Sequence, residues 1–120
     1  MQTQPHAQET LNRNHQFRLI YKKGKSKVHP LLVTYAMRNR TGTARLAVVS
    51  SKKIGNAVNR NRARRVVRAA YRESGFAVPA GWDVVFVCRT KTAFVKSTVL
   101  VPVMMKQLNE LMVQRPGLRG

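Results

Sequence analysis

The sequence predicts an α+β fold, a two-layer α/β sandwich in the order α-β-β-(β)-α-β-α, the bracketed strand being short and optional. Three observations carry it. Residues 31–38 and 44–51 alternate side-chain character with period two, as half-buried strands do. Residues 56–74 contain neither Gly nor Pro and are rich in Ala and Arg, which predicts one long helix. Residues 82–88 are apolar on both faces, which suits an interior strand. A single domain at 13–114 holds all of these, between a flexible polar tail at 1–12 and a basic tail at 115–120.

In chain order, Phe17, Ile20 and Tyr21 fall at helical spacing and Gly24 stops the segment, giving a first helix of about two turns. Residues 26–30 suit a small edge strand ended by Pro30. In the first long strand Leu31, Val33, Tyr35 and Met37 share one face, and Leu32, Thr34, Ala36 and Arg38 the other. The turn at 39–43, with Gly42, predicts that the second long strand pairs with the first as its antiparallel neighbour. Gly75 ends the long helix, and residues 79–81 turn into the interior strand. The last helix, about 97–114, carries Val101, Met104, Met105, Leu108, Leu111 and Met112. Proline is best tolerated in a first turn, so this helix is expected to start close to Pro102.

Lys and Arg number 23 against four Asp and Glu, a net charge of +19. Such a surface repels itself unless a polyanion neutralises it, and nucleic acid is the commonest one. The 43% apolar content is that of a folded domain, and no apolar stretch approaches the roughly 20 residues of a membrane span. No membrane partner is expected. Residues 1–10 are polar and include Pro5 and Glu9, so no secretory signal is read there. Cys88, the one cysteine, excludes an internal disulfide and suits a reducing compartment, here taken as the cytoplasm.

The distribution says more than the total. From Thr10 to Arg72 there are 17 Lys or Arg and no Asp or Glu, which predicts a binding face. On a helix Arg60, Arg64, Arg68 and Arg72 form an i, i+4 ladder with Asn61 and Arg65 beside it. Ala63, Val66, Val67 and Ala70 point elsewhere, toward a sheet. Like charges four apart destabilise a lone helix, so the ladder makes sense opposite phosphates, which Arg grips in bidentate fashion. Just upstream, Lys52 and Lys53 lead to a Gly55-Asn56 turn and a helix N-terminus that can face a phosphate.

The string KKIGNAVNRNRARRVVRAAYRES, residues 52–74, resembles the signature of the protein subunit of bacterial ribonuclease P. Its matching positions are Lys52, Lys53, Gly55, Asn56, Ala57, Val58, Arg60, Asn61, Arg62, Arg64, Arg65, Arg68 and Arg72; chain length, charge, element order and the segment from Phe17 to Gly24 also agree. The resemblance implies a fold similar to the second domain of ribosomal protein S5, with a left-handed βαβ crossover. It implies a catalytic RNA as partner, the protein being a monomeric cofactor in a one-to-one ribonucleoprotein that removes the 5′ leader of precursor tRNA. Magnesium would be held mainly by RNA and none by the protein alone. Carried over by position, Lys52, Lys53, Asn56, Arg60, Asn61, Arg62, Arg64, Arg65, Arg68 and Arg72 would bind the catalytic RNA. Phe17, Tyr21 and Tyr35 would bind the single-stranded leader. Two departures stand out: Tyr21, where the family often has Phe, and Pro102 near the start of the last helix.

Without the resemblance, Phe17 and Tyr21 read as core residues more readily than as a binding site, and so does Tyr35, which shares a strand face with Leu31 and Val33. His6, His15 and His29 lack metal-ligand spacing, and Cys88 in an apolar strand suits a buried, inert thiol. Glu9, Glu73, Asp83 and Glu110 are too few and scattered for a carboxylate metal site or an acid–base pair, so no active site is expected in the protein itself. Charge and helix fit a ribosomal or other structural RNA-binding protein equally, and only the motif separates the two. A DNA-binding module fits less well, since an even Arg ladder suits phosphate contact more than base readout.

Overall fold

Val84, Phe86 and Cys88 point to one side of the sheet and Val85 and Val87 to the other, and all but Val87 are buried. A strand apolar on both faces has to sit in the middle, and it does. The computed structural model describes residues 8–11 and 14–112. Its elements are β1 (Gln8–Thr10), α1 (Asn14–Lys23), β2 (Lys25–His29), β3 (Leu32–Arg38), β4 (Ala44–Val49), α2 (Ala57–Ser74), β5 (Trp82–Cys88) and α3 (Ser97–Met112). The five strands form one sheet in the order β1-β4-β5-β3-β2. The expected sequence of elements is present, and β2 is the short edge strand.

The pairing of the two long strands differs from expectation. β5 lies between β3 and β4, antiparallel to the first and parallel to the second. The 39–43 turn does not close a hairpin; it crosses the start of β5. Asn39 N–H donates to the Gly81 carbonyl at 2.7 Å, and Gly81 N–H donates to the Thr43 carbonyl at 3.0 Å. Burial of both faces of β5 outweighs the local turn signal. β4, α2 and β5 thereby form a βαβ unit on adjacent parallel strands.

Within the tail expected at 1–12, residues 8–11 are structured. β1 pairs in parallel with β4, Leu11 N–H donates to the Leu46 carbonyl at 2.9 Å, and Leu11 is 2% exposed. Covering the β4 edge and burying one Leu order a stretch that has no periodicity of its own. Residues 1–7 and the basic tail at 115–120 lie outside the described residues.

The main core lies between one sheet face (Leu32, Ala36, Ala44, Val84, Phe86) and α2 and α3 (Val67, Ala70, Leu100, Met104, Leu108). This is the two-layer sandwich. α1 adds a partial third layer on the other face, where Ile20 packs with Leu11, Ala47 and Val85. α3 begins at Ser97, so Pro102 lies inside the helix rather than at its start. It is exposed there, and removes one backbone hydrogen bond without putting its ring into the core.

Candidate nucleic-acid interface

α2 starts where Asn56, in an extended conformation, accepts the Asn59 N–H on its Oδ1 at 2.9 Å. It ends at Gly75, whose φ of 70° is left-handed and favours glycine. Ala63, Val67 and Ala70 are fully buried and Val66 half-buried, so the helix turns its arginines away from the sheet. Arg62, Arg65, Arg68 and Arg72 are exposed. Among the described residues none of the α2 arginines has a carboxylate within ion-pair distance.

The ladder is not uniform. Arg60 donates to the Gly55 carbonyl at 2.7 Å. Arg64 is half-buried and donates to Ser50 Oγ and Asn61 Oδ1, tying the end of β4 to the helix. These two arginines are held in place by the protein, whereas Arg68 and Arg72 reach into solvent. Asn56 is a helix cap, so the structure gives this motif residue a local task that sequence alone does not show. Lys52 and Lys53 are exposed on a 3-10 turn, Lys52–Ile54, anchored by buried Ile54 and capped by Ser51 Oγ, which accepts the Lys53 N–H at 3.2 Å. Gly55, at φ 123°, makes the bend from that turn into α2.

The other predicted site also comes together in space. Phe17 and Tyr21 stack at 6.3 Å between centroids on α1, and Tyr21 meets Tyr35 of β3 edge-on at 4.9 Å. Tyr21 is 43% exposed, while Phe17 and Tyr35 are half-buried. Partial burial, and secondarily the Tyr35 phenol, push the Tyr21 hydroxyl above its ordinary pKa, so it is a neutral donor at physiological pH. α1 leaves part of this sheet face open, and Val49 and Val87 are only half-buried there. Val33, Val87, Lys53, Arg89 and Thr90 line a groove of about 310 Å³ at one end of β5. Lys53 thus borders the open sheet face as well as leading into α2. Arg89 was not singled out by any sequence motif.

The same face holds a buried ion pair. Asp83, 2% exposed, accepts Arg45 Nε and Nη2, both at 2.8 Å, and Asn39 Nδ2 at 2.6 Å. This carboxylate locks the 39–43 turn and β4 onto β5, and is engaged structurally. Among the described residues no three His, Cys, Asp or Glu gather as a metal site would need, and no helix is long and apolar enough to cross a membrane. The donor set is therefore cationic and aromatic.

Residues 6–112 match the family model described as Ribonuclease P. The chain belongs to the ribonuclease P protein family. It is 37% identical over 83 residues to the "Ribonuclease P protein component" of Clostridioides difficile (strain 630), covering 68% of this chain and 73% of that protein. The namesake from Clostridium kluyveri is 41% identical over 81 residues, 66% of this chain and 72% of that one. Among solved structures, the Staphylococcus aureus RNase P protein superposes with a TM-score of 0.73 at 28% identity, over 87% of this chain and 95% of that one. The Thermotoga maritima RNase P protein gives 0.68 at 31% identity, over 86% and 94%. The ribonuclease P family is thus favoured over a ribosomal or other structural RNA-binder of similar fold.

Proposed function

We propose that this chain is the protein component of a ribonuclease P, gripping the catalytic RNA with α2 and the precursor's 5′ leader with the aromatic cleft. The observation that carries the reading is the α2 helix, with one face fully in the core and the other a row of arginines unmatched by acid among the described residues. Lys52, Lys53, Arg60, Asn61, Arg62, Arg64, Arg65, Arg68 and Arg72 serve the RNA surface. Arg60 and Arg64 do so from pre-ordered positions, and Asn56 contributes by fixing where α2 begins. Phe17, Tyr21 and Tyr35 offer ring faces to unpaired leader bases, each stack contributing about 1–3 kcal/mol.

Hydrolysis falls to the RNA subunit, with magnesium held by RNA and substrate supplying charge stabilisation and an activated water. The protein screens phosphate repulsion and raises precursor affinity, as one copy per RNA, in the cytoplasm. Reconstitution tests this: a bacterial ribonuclease P RNA at low magnesium, this protein, and a precursor tRNA with a 5′ leader. Added protein should stimulate cleavage, and Arg65→Ala with Arg68→Ala should remove the stimulation and flatten the salt dependence of RNA binding by about one unit of slope per residue. An unchanged slope rejects α2 as the RNA face. Phe17→Ala should weaken precursor binding and leave mature tRNA binding unchanged; equal losses reject the leader cleft.

A further inference from the structure

Phe94 leaves 66% of its surface in solvent, more than any other aromatic side chain among the exposed large hydrophobics. It lies outside both surfaces described above, on the 3-10 turn Thr92–Phe94 between β5 and α3. The turn is firmly held. Thr92 is fully buried; its hydroxyl donates to the Leu31 carbonyl at 2.7 Å and accepts the Arg89 N–H at 2.8 Å. Ala93 is buried in the main core, and the turn packs against α2. Just beyond, Ser97 Oγ donates to the Glu73 carboxylate of α2 at 2.8 Å to Oε2. The backbone on either side is fixed, so the ring is displayed outward by a built support.

Its charged neighbours along the chain are cationic. Arg89, Lys91 and Lys96 are exposed, and the sequence has no Asp or Glu between Asp83 and Glu110. A second copy of a +19 chain would be repelled here. An exposed ring on a rigid turn packed against the arginine helix, in a segment whose exposed charged residues are Arg89, Lys91 and Lys96, matches an aromatic base carried on a phosphate backbone. We infer that Phe94 is a stacking platform for an unpaired base of the catalytic RNA, with Arg89, Lys91 and Lys96 facing its flanking phosphates. This rests on the RNA-binding reading of α2 and extends that surface onto the β5–α3 connection.

The experiment is RNA affinity against salt for the full chain and four variants, with a ribonuclease P RNA as the probe. Phe94→Ala should weaken binding about tenfold without changing the salt slope, because the ring carries no charge. Phe94→Trp should bind at least as well as the parent, and Phe94→Leu should not rescue. Thermal unfolding of each variant reports the fold independently, and an exposed position should leave it unchanged. Parent-like binding by Phe94→Ala overturns the platform, and full rescue by Leu overturns ring stacking as the source of the affinity. If Arg65→Ala with Arg68→Ala leaves affinity and slope intact while Phe94→Ala weakens binding, α2 fails as the RNA face and the platform stands; a parent chain that binds no RNA overturns both.

Discussion

Cys88 closes β5 with 4% of its surface exposed, and burial pushes its thiol up to about 11 against a smaller lowering by Arg64 and Arg68. At pH 8 the native thiol is therefore protonated, and a thiolate-directed reagent should label it only after unfolding. The sign for stability follows. The folded chain holds this proton more tightly than the unfolded one, whose thiol titrates near 9.0. The contribution is intact below that value and lost as pH rises toward about 11. Urea midpoints at pH 8 and pH 10.5 should show a decline that is smaller in Cys88→Ala; equal declines would mean that other groups carry it. Asn56 makes a second case at this scale. The motif places it among RNA-binding residues, while the structure makes it the cap of α2, a geometric fact that no single-residue pattern reveals. Asn56→Ala should lower stability by about 1 kcal/mol in thermal or urea unfolding, and Asn56→Ser should restore most of it. A stable Asn56→Ala protein with weak RNA binding would instead make it a contact residue.

Elements are legible in the sequence where one signal rules and obscured where two compete. α2 was readable from a Gly- and Pro-free run bounded by Asn56 and Gly75, and β5 from its two apolar faces. Both occupy the expected places. The expected β3–β4 hairpin does not form: a five-residue turn signals local pairing, whereas β5 wins the central position through burial contributed by distant elements. β1 was invisible because its order comes from the β4 edge and one buried Leu. Gln107 shows how α3 is placed on the sheet. Buried at 4% exposure, it accepts the Thr34 hydroxyl at 2.7 Å and donates to the Leu32 and Lys27 carbonyls at 2.9 and 3.2 Å. This one amide clips α3 to both β2 and β3. Gln107→Leu should destabilise by about 1–3 kcal/mol, because it strands buried polar groups. Pairing it with Thr34→Val should recover part of that loss in denaturant unfolding. Strictly additive losses would show that the two side chains do not act together.

The charge of the whole molecule is carried unevenly, and this unevenness was the part of the site most legible in the sequence. No acid appears from Thr10 to Arg72, and the four acids of the chain cannot offset 23 cations. Among the described acids, Asp83 is spent on Arg45, Glu73 meets Ser97, and Glu110 pairs with Lys106 and Lys27. The α2 arginines are left facing one another at i, i+4, which opposes the helix and the compact state alike. Stability in dilute buffer is therefore held down by self-repulsion that a bound polyanion would relieve, and folding and RNA binding reinforce each other through linkage. Multivalent anions should show this without RNA. At matched ionic strength, sulfate should raise the melting temperature above its value in chloride, and the gain should shrink in Arg65→Ala with Arg68→Ala, where part of the repulsion is already gone. A melting temperature indifferent to the anion would mean that the core alone holds the fold and that the arginine face is tolerated at no cost.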